Sequence, residues 1–126
     1  MFTLTINTTI TGDGLGINGV VSTQTDACAK RDITLEADSA DVEVDLDVDV
    51  SAAKGAVLFA TADVTIKTNS SSEPDDTINL SANRDLSWIT GQGNCPFTVD
   101  VTKLYVTCAN GGTLKVWVYS DSTPGA

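Results

Sequence analysis

The chain has 126 residues, with 17 Asp and Glu, 7 Lys and Arg and no His, which gives a formal net charge of −10. This length suits one domain with one hydrophobic core. Without His the chain lacks the commonest acid–base catalyst and the commonest zinc ligand. Its acidic balance argues against binding to nucleic acid or to an anionic membrane surface. We therefore expect no nucleic acid and no membrane among its partners.

No stretch of the sequence approaches the roughly 20 apolar residues that a membrane-spanning helix needs. Met1–Thr11 is rich in Thr and lacks the basic start and the apolar run of a secretory signal, so we expect synthesis in the cytoplasm. The three cysteines, Cys28, Cys95 and Cys108, form no close pair of the metal-binding type. We expect buried thiols in a reducing compartment, and a Cys95–Cys108 disulfide remains open.

Short alternating runs of apolar and polar residues recur along the chain between clusters of Gly, Asn, Ser, Pro and Asp, which is typical of antiparallel sheet. The first predicted strand, Phe2–Ile10, is either a terminal arm or an ordinary first strand of the domain. Gly14–Gly19 matches Gly-x-Gly-x-x-Gly, but a strand follows it instead of a helix, so we interpret it as a glycine loop between strands. The other predicted strands are Gly19–Thr25, Asp32–Ala37, Val42–Val50, Ala56–Thr61, Asp63–Thr68, Thr77–Ser81, Leu86–Thr90, Phe97–Val101, Lys103–Cys108 and Thr113–Tyr119.

These strands predict an all-β fold, an antiparallel β-sandwich that is jelly-roll-like. Residues 1–119 are expected to form a single β-sandwich domain, in which 1–10 is the possible β arm. Two polar loops are predicted, at Asn69–Asp76 and Gly91–Pro96, and 120–126 are predicted to be a flexible C-terminal tail.

The clearest pattern lies in Asp41–Val50, where apolar residues alternate with carboxylates. A strand sends the two sets to opposite faces, whereas a helix would spread both around its axis. The carboxylates then stand about 7 Å apart along one face, too far apart to share a proton. We interpret them as a solvated row that protects a sheet edge, with a specific metal site as the alternative. Their mutual repulsion also suggests that a basic surface faces the row in an assembly.

The sequence predicts a final hairpin, with its turn at Ala109–Gly112. One face of it carries Leu and Val, and the other gathers aromatic rings beside cations. Such a combination on an acidic protein is typical of the anchor of a protein–protein interface. The alternative is that this second face is the inner layer of the sandwich. The predicted partner-binding residues are Tyr105, Lys115, Trp117 and Tyr119, with Lys103 beside them, and Trp88 is predicted to belong to the core.

No arrangement of residues in the sequence indicates catalysis. There is no Gly-x-Ser-x-Gly motif, no nucleophile with a base in view and no metal-binding cysteine cluster. Asp75, Asp76 and Asp85 could form a carboxylate pair, but they occupy ordinary turn positions. We expect no enzymatic activity, no catalytic residue, no metal and no cofactor.

The segments Val64–Thr77, Trp88 and Cys95–Thr107 resemble small all-β virion proteins of tailed bacteriophages, which are similar to capsid cement or decoration proteins. The resemblance covers roughly the carboxy-terminal half. It implies a jelly-roll-like structural protein, a homotrimer, bound to the major capsid protein on the capsid exterior of the virion. The amino-terminal half, including the Asp41–Asp49 row, carries no resemblance.

Two other functions remain open at this stage. A tail or fibre component could have a similar fold. A carbohydrate-binding β-sandwich module could stack Trp117 and Tyr119, or Tyr105, on sugar rings.

Overall fold

The computed structural model describes residues 2–12, 14–91 and 95–121, and within these residues it contains ten β-strands and no helix. Every strand pair is antiparallel. No helix in the described part of the chain is long and apolar enough to cross a membrane. The strands are β1 (Phe2–Gly12), β2 (Leu15–Thr25), β3 (Ala27–Leu35), β4 (Ser39–Val48), β5 (Ala53–Ala60), β6 (Val64–Thr68), β7 (Thr77–Leu80), β8 (Asp85–Ile89), β9 (Val101–Cys108) and β10 (Gly112–Ser120).

Eight of the strands form two four-stranded sheets that pack face to face. The first sheet has the order β3-β10-β5-β8 and the second has the order β4-β9-β6-β7. Along the chain from β3 to β10, consecutive strands lie in different sheets. The one exception is β6 and β7, which are neighbours in the second sheet. This arrangement of eight strands in two sheets is that of a jelly roll, so the predicted jelly-roll-like antiparallel sandwich is confirmed.

The core lies between the two sheets and is filled by the inward positions of alternating strands. Leu58 and Leu114 from the first sheet and Ile66 and Leu104 from the second are fully buried. Removing such side chains from water is the main force that holds the sheets together. β4 joins this core mainly with its second half, because Leu46 and Val48 are buried and Val44 packs half-buried against the core, whereas 40–43 are exposed.

Several predicted strands differ from the observed ones in their bounds, since β2 begins at Leu15 instead of Gly19 and β4 runs from Ser39 to Val48 instead of from Val42 to Val50. Phe97–Val101 is wrong as a strand, because residues 97–100 form a loop and β9 begins at Val101. Phe97 is buried in the core. The backbone N–H and the hydroxyl of Thr98 donate to the Asp76 carboxylate, so hydrogen bonds to a side chain take the place of backbone hydrogen bonds to a neighbouring strand. β3 begins at Ala27, five residues before its predicted start.

The two predicted loops and the tail are only partly testable. The loop at 69–76 is observed, whereas 92–94 of the second loop lie outside the described residues. Ser120 belongs to β10, and the Asp121 N–H donates to the Ala52 carbonyl, so the chain is still ordered where a tail was predicted. Residues 122–126 lie outside the described residues.

β1 and β2 form a separate hairpin outside both sheets. Their register runs without a shift from the Phe2–Thr25 pair to the Gly12–Leu15 pair. Phe2–Ile10 is thus paired within this hairpin and is not a strand of either four-stranded sheet. The glycine-loop prediction is right only at Gly14, which has a φ of +78° at the turn, because Gly16 and Gly19 lie inside β2.

The half of the hairpin nearest its ends, here called the inner half (2–6 and 21–25), packs on the outer face of the first sheet. Leu4 is 7% exposed and forms a cluster with Ile89 of β8 and Tyr119 of β10. Gly55 of β5 makes this close approach possible, because a Cβ at that position would lie 2.7 Å from Leu4 Cδ2. The hairpin is therefore anchored to the sandwich by apolar contacts at one end.

Candidate functional site

The structure does not bring the predicted partner-binding residues together. β9 pairs with β4 and β6, whereas β10 pairs with β3 and β5, so the predicted β9–β10 hairpin is wrong. The segment between them crosses from one sheet to the other, and the apolar faces of β9 and β10 meet across the core. Tyr105 and Lys103 consequently lie on the outer face of the second sheet. Lys115, Trp117 and Tyr119 lie on the outer face of the first sheet. The alternative that these residues form the inner layer is also wrong, because Leu, Val and Cys fill it.

Tyr105 and Lys103 lie on the outer face of the second sheet, beside the acidic row of β4. Tyr105 pairs with Glu43 in register, and Asp45 pairs with Lys103. The ammonium of Lys103 forms an ion pair with Glu43. The hydrogen bond to Glu43, together with its charge, raises the pKa of Lys103 above its ordinary value. The cation that faces Glu43 is therefore Lys103 of the chain itself.

The acidic row itself is exposed along its whole length, from Asp41 to Asp49. Lys67 lies 3.8 Å from the Asp41 carboxylate, so it is a second cation next to the row. Hydrogen bonds from the hydroxyl and N–H of Ser51 lower the pKa of Asp49. Among the described residues no group of three or more Cys, Asp and Glu is placed to hold a metal ion. The row is a charged face with cations beside Asp41 and Glu43 at one end and hydrogen bonds from Ser51 to Asp49 at the other.

Trp117 and Lys115 lie on the outer face of the first sheet. The Lys30 ammonium stands 4.4 Å from the centre of the Trp117 ring, and the indole N–H donates to the Asp32 carboxylate at 2.9 Å. Both contacts fix the Trp117 ring in place. Lys115 is exposed and pairs in register with Phe59 of β5 and Asp32 of β3. Trp117 and Lys115 thus form the one adjacent pair among the predicted partner-binding residues that remains partly accessible.

Tyr119 is covered by the hairpin and is only 7% exposed. Burial raises the pKa of its phenol, and contact with Cys28 raises it further. Burial also raises the pKa of Cys28, against the opposing effects of Lys30 and Tyr119. With Tyr119 covered and Tyr105 on the other side of the sandwich, Trp117 has neither ring beside it for stacking on a sugar.

The three cysteines are free in the structure. Cys108 is fully buried, Cys95 is half-buried against the same core, and burial raises the pKa of the Cys95 thiol. Trp88, predicted as a core residue, packs partly buried against this core, and its indole N–H has no hydrogen-bond partner among the described residues.

The outer half of the hairpin (7–20) is the feature that the sequence analysis missed. Every residue there whose exposure is described is exposed, except the half-buried Gly19. Ile17 is 46% exposed and Val20 is 70% exposed. The available signal was the alternation of apolar residues on both sides of Gly12–Gly14, which indicates a long hairpin when the two runs are read together.

The hairpin has one apolar and one polar face. Directly opposed residues in an antiparallel pair share a face, so the Leu4–Thr23 and Ile6–Val21 pairs lie on the side that packs on the sandwich. Ile17 lies on the same face further along the hairpin, in the outer half. The other face carries Thr, Asn, Ser and Gln, and Val20 is its one large apolar residue.

The carboxylates considered for catalysis are held by structural hydrogen bonds. Asp75 accepts from the side-chain amide of Asn69, Asp76 accepts from Thr98, and Asp85 accepts from the Ser87 hydroxyl. These bonds order the 69–76 loop and the start of β8.

No family model, curated protein or solved structure matches the chain.

Proposed function

We propose that this chain is a structural protein of a bacteriophage virion, a cement protein that binds the outside of the head shell and stabilises it. The observation that carries the proposal is the projecting hairpin, whose outer half exposes Ile17 and Val20. Exposed apolar side chains on a projecting element support its use as a protein–protein contact. The jelly-roll body fits the same role.

The mechanism is one of binding linkage. A protein that binds the assembled shell but not its separated subunits stabilises the assembly by mass action, in proportion to its free concentration relative to its Kd. No bond is made or broken, so the role needs no catalytic group. Many copies on one shell add their contributions, and each copy that spans two capsid subunits adds a connection between them.

The proposed partner is the major capsid protein, and the proposed site is the capsid exterior. The acidic row of β4 gives the body one strongly charged outer face, whereas the hairpin is almost uncharged, with Asp13 as its one charged residue. The hairpin is therefore the part that can enter a contact without desolvating charges. The body would remain exposed to solvent and keep neighbouring particles apart through its net charge.

Purified phage heads that lack this protein provide the test. We expect added protein to bind them in many symmetric copies in cryo-electron microscopy, and to raise the temperature at which the heads release their DNA. Heads mixed with buffer alone are the control. Failure to bind, or binding without any change in release temperature, would contradict the cement role.

The same images separate the main rival. If the chain is a tail or fibre component, the intact virion would show only a few copies, confined to the tail. Copies distributed over the head would exclude that function.

A further inference from the structure

We propose that Asn110 is a modification site, at which the chain converts its own side-chain amide to a carboxylate without an enzyme or a cofactor. The backbone nitrogen of Gly111 is the nucleophile, and water is the one other reactant. The inference does not depend on the proposed function, because it follows from the local structure of the segment between β9 and β10.

Asn followed by Gly is the pair of residues at which this reaction meets the least steric resistance. Gly has no Cβ, so no side chain hinders the approach of its backbone nitrogen to the preceding side chain. The sequence contains this pair twice, as Asn18-Gly19 and as Asn110-Gly111. The structure around each pair decides which of the two reacts.

Asn110 is free to react in the folded chain. Its side chain is exposed, and it lies in the segment 109–111, between the end of β9 and the start of β10. In the part of the chain that the structure describes, neither its side-chain amide nor the N–H of Gly111 has a hydrogen-bond partner. The side chain can therefore rotate towards the Gly111 nitrogen without breaking a hydrogen bond.

Asn18 lies in a setting that opposes the same reaction. It is inside β2, where Asn18 pairs with Thr9 and Gly19 pairs with Thr8. The ladder holds the backbone of both residues extended, so ring closure first requires local opening of the hairpin. Asn18 therefore serves as a matched internal comparison for Asn110.

The reaction proceeds in two balanced steps. In the first step the Gly111 nitrogen loses its proton and forms a bond to Cγ of Asn110, while the bond from Cγ to the amide nitrogen breaks and ammonia leaves with that proton. In the second step water adds to one of the two carbonyl carbons of the resulting cyclic imide, and the bond from that carbon to the Gly111 nitrogen breaks. Attack at Cγ gives isoaspartate if the main-chain bond is the one broken, and the numbers of atoms are the same for both products. Breaking the bond to Cγ gives Asp, whereas breaking the bond to the main-chain carbon leaves the main chain running through the side chain, as isoaspartate.

The longer main chain of isoaspartate does not fit the packing of this segment. Gly111 has a φ of +77° and packs so closely that a Cβ there would lie 2.9 Å from the Ala37 nitrogen. On the other side of Asn110, the Ala109 carbonyl accepts the Asp38 N–H at 2.8 Å. An additional atom between these two contacts must displace one of them. Either product also adds a negative charge near Asp38.

The test compares the two sites in one sample of the full chain. The protein is incubated in mildly alkaline buffer and digested with trypsin, and mass spectrometry of the peptides measures the conversion of amide to acid at Asn110 and at Asn18. We expect conversion at Asn110 to be about tenfold faster or more, since the need for local opening slows Asn18 in proportion to how rarely the hairpin opens. Equal rates at the two sites, or faster conversion at Asn18, would overturn the inference.

The same incubation in concentrated urea is the control. Both sites should then react at similar rates, because each has the same pair of residues and no fold around it. A preference for Asn110 that persists in urea would show that the fold does not select the site, and would also overturn the inference.

Amide exchange tests the effect of the modification on the packing. The isoaspartate form, separated by chromatography, is compared with Asn110→Asp, which carries the same charge without the additional main-chain atom. We expect the Asp38 N–H to exchange about tenfold faster in the isoaspartate form. Equal exchange in the two forms would contradict the displacement.

Discussion

Tyr119 links the sandwich to the hairpin through a group that titrates. Its ring lies between β10 and the inner half of the hairpin, and its phenol lies next to the Cys28 thiol. Burial raises the pKa of both groups, which means that the folded state favours the neutral forms. The packing of the hairpin base is therefore coupled to the protonation of two neighbouring side chains.

A pH dependence follows from this coupling. A group whose pKa is higher in the folded state contributes stability that is complete below its unfolded pKa, about 10 for Tyr, and is lost as the pH rises through the folded pKa. We expect the free energy of unfolding, measured with urea, to fall above about pH 10, and to fall less steeply in Tyr119→Phe. Tyr105→Phe, on the other outer face, is the control for removing a tyrosine hydroxyl. Equal pH profiles for Tyr119→Phe and the unmodified chain would contradict the assignment.

At the level of the strands, the hairpin depends on one glycine of another element. Gly55 lies under Leu4 and Thr23, and a Cβ there would be 2.7 Å from Leu4 Cδ2 and 3.4 Å from Thr23 Cγ2. The Leu4 contact is with the end of a flexible side chain, so a single methyl group can be accommodated by a small shift. A branched side chain cannot, because Leu4 is already packed against Ile89 and Tyr119.

Gly55→Val should therefore detach the inner half of the hairpin while the two sheets stay together. We expect amide exchange in β1 and β2 to speed up, with a loss of about 1–3 kcal/mol for hairpin docking, and exchange in β9 to remain slow. Gly55→Ala is the matched control and should have a much smaller effect. Equal acceleration in β9 would show that the substitution unfolds the sandwich as a whole.

The sequence predicts which side chains face inward better than it predicts which strands pair. The alternation in β9 and β10 correctly separates Leu104 and Leu114 from the outward residues, because a period of two is a local property of a strand. Pairing partners are set by the whole topology. A turn such as Ala109–Gly112 can join two neighbouring strands of one sheet, or it can join two strands that lie in different sheets. The predicted interface failed for that reason, since it required β9 and β10 to be neighbours.

The hairpin was missed for a related reason. Its two strands were predicted separately, and Gly16 and Gly19 inside β2 favoured a loop, since glycine is uncommon within strands. Val20, exposed on the polar face, also obscures the alternation. Only the paired register shows that Leu4 and Ile6 of β1 share one face with Val21 and Ile17 of β2.

Charge is unevenly distributed over the whole molecule. Residues 1–25 contain one charged residue, Asp13, so almost all of the net charge of −10 lies on the sandwich. Within the acidic row, Glu43 is paired with Lys103, whereas no ion pair of Asp47 is found in the described part of the chain. The compact state therefore contains like charges that repel one another, and unfolding moves them apart.

Salt should consequently stabilise this protein. At low ionic strength the repulsion acts across the whole sandwich, whereas at 0.1 M salt the Debye length is about 10 Å and only near neighbours still interact. We expect the free energy of unfolding to increase by about 1 kcal/mol between low salt and roughly 0.5 M sodium chloride, since exposed ion pairs such as Lys103–Glu43 lose at most a fraction of that. Asp47→Asn should raise the stability at low salt and reduce the response to salt. Glu43→Gln, which removes a paired carboxylate of the same row, should not raise it, and a stabilising effect of equal size from both substitutions would mean that the Lys103 contact contributes nothing to holding the row in place.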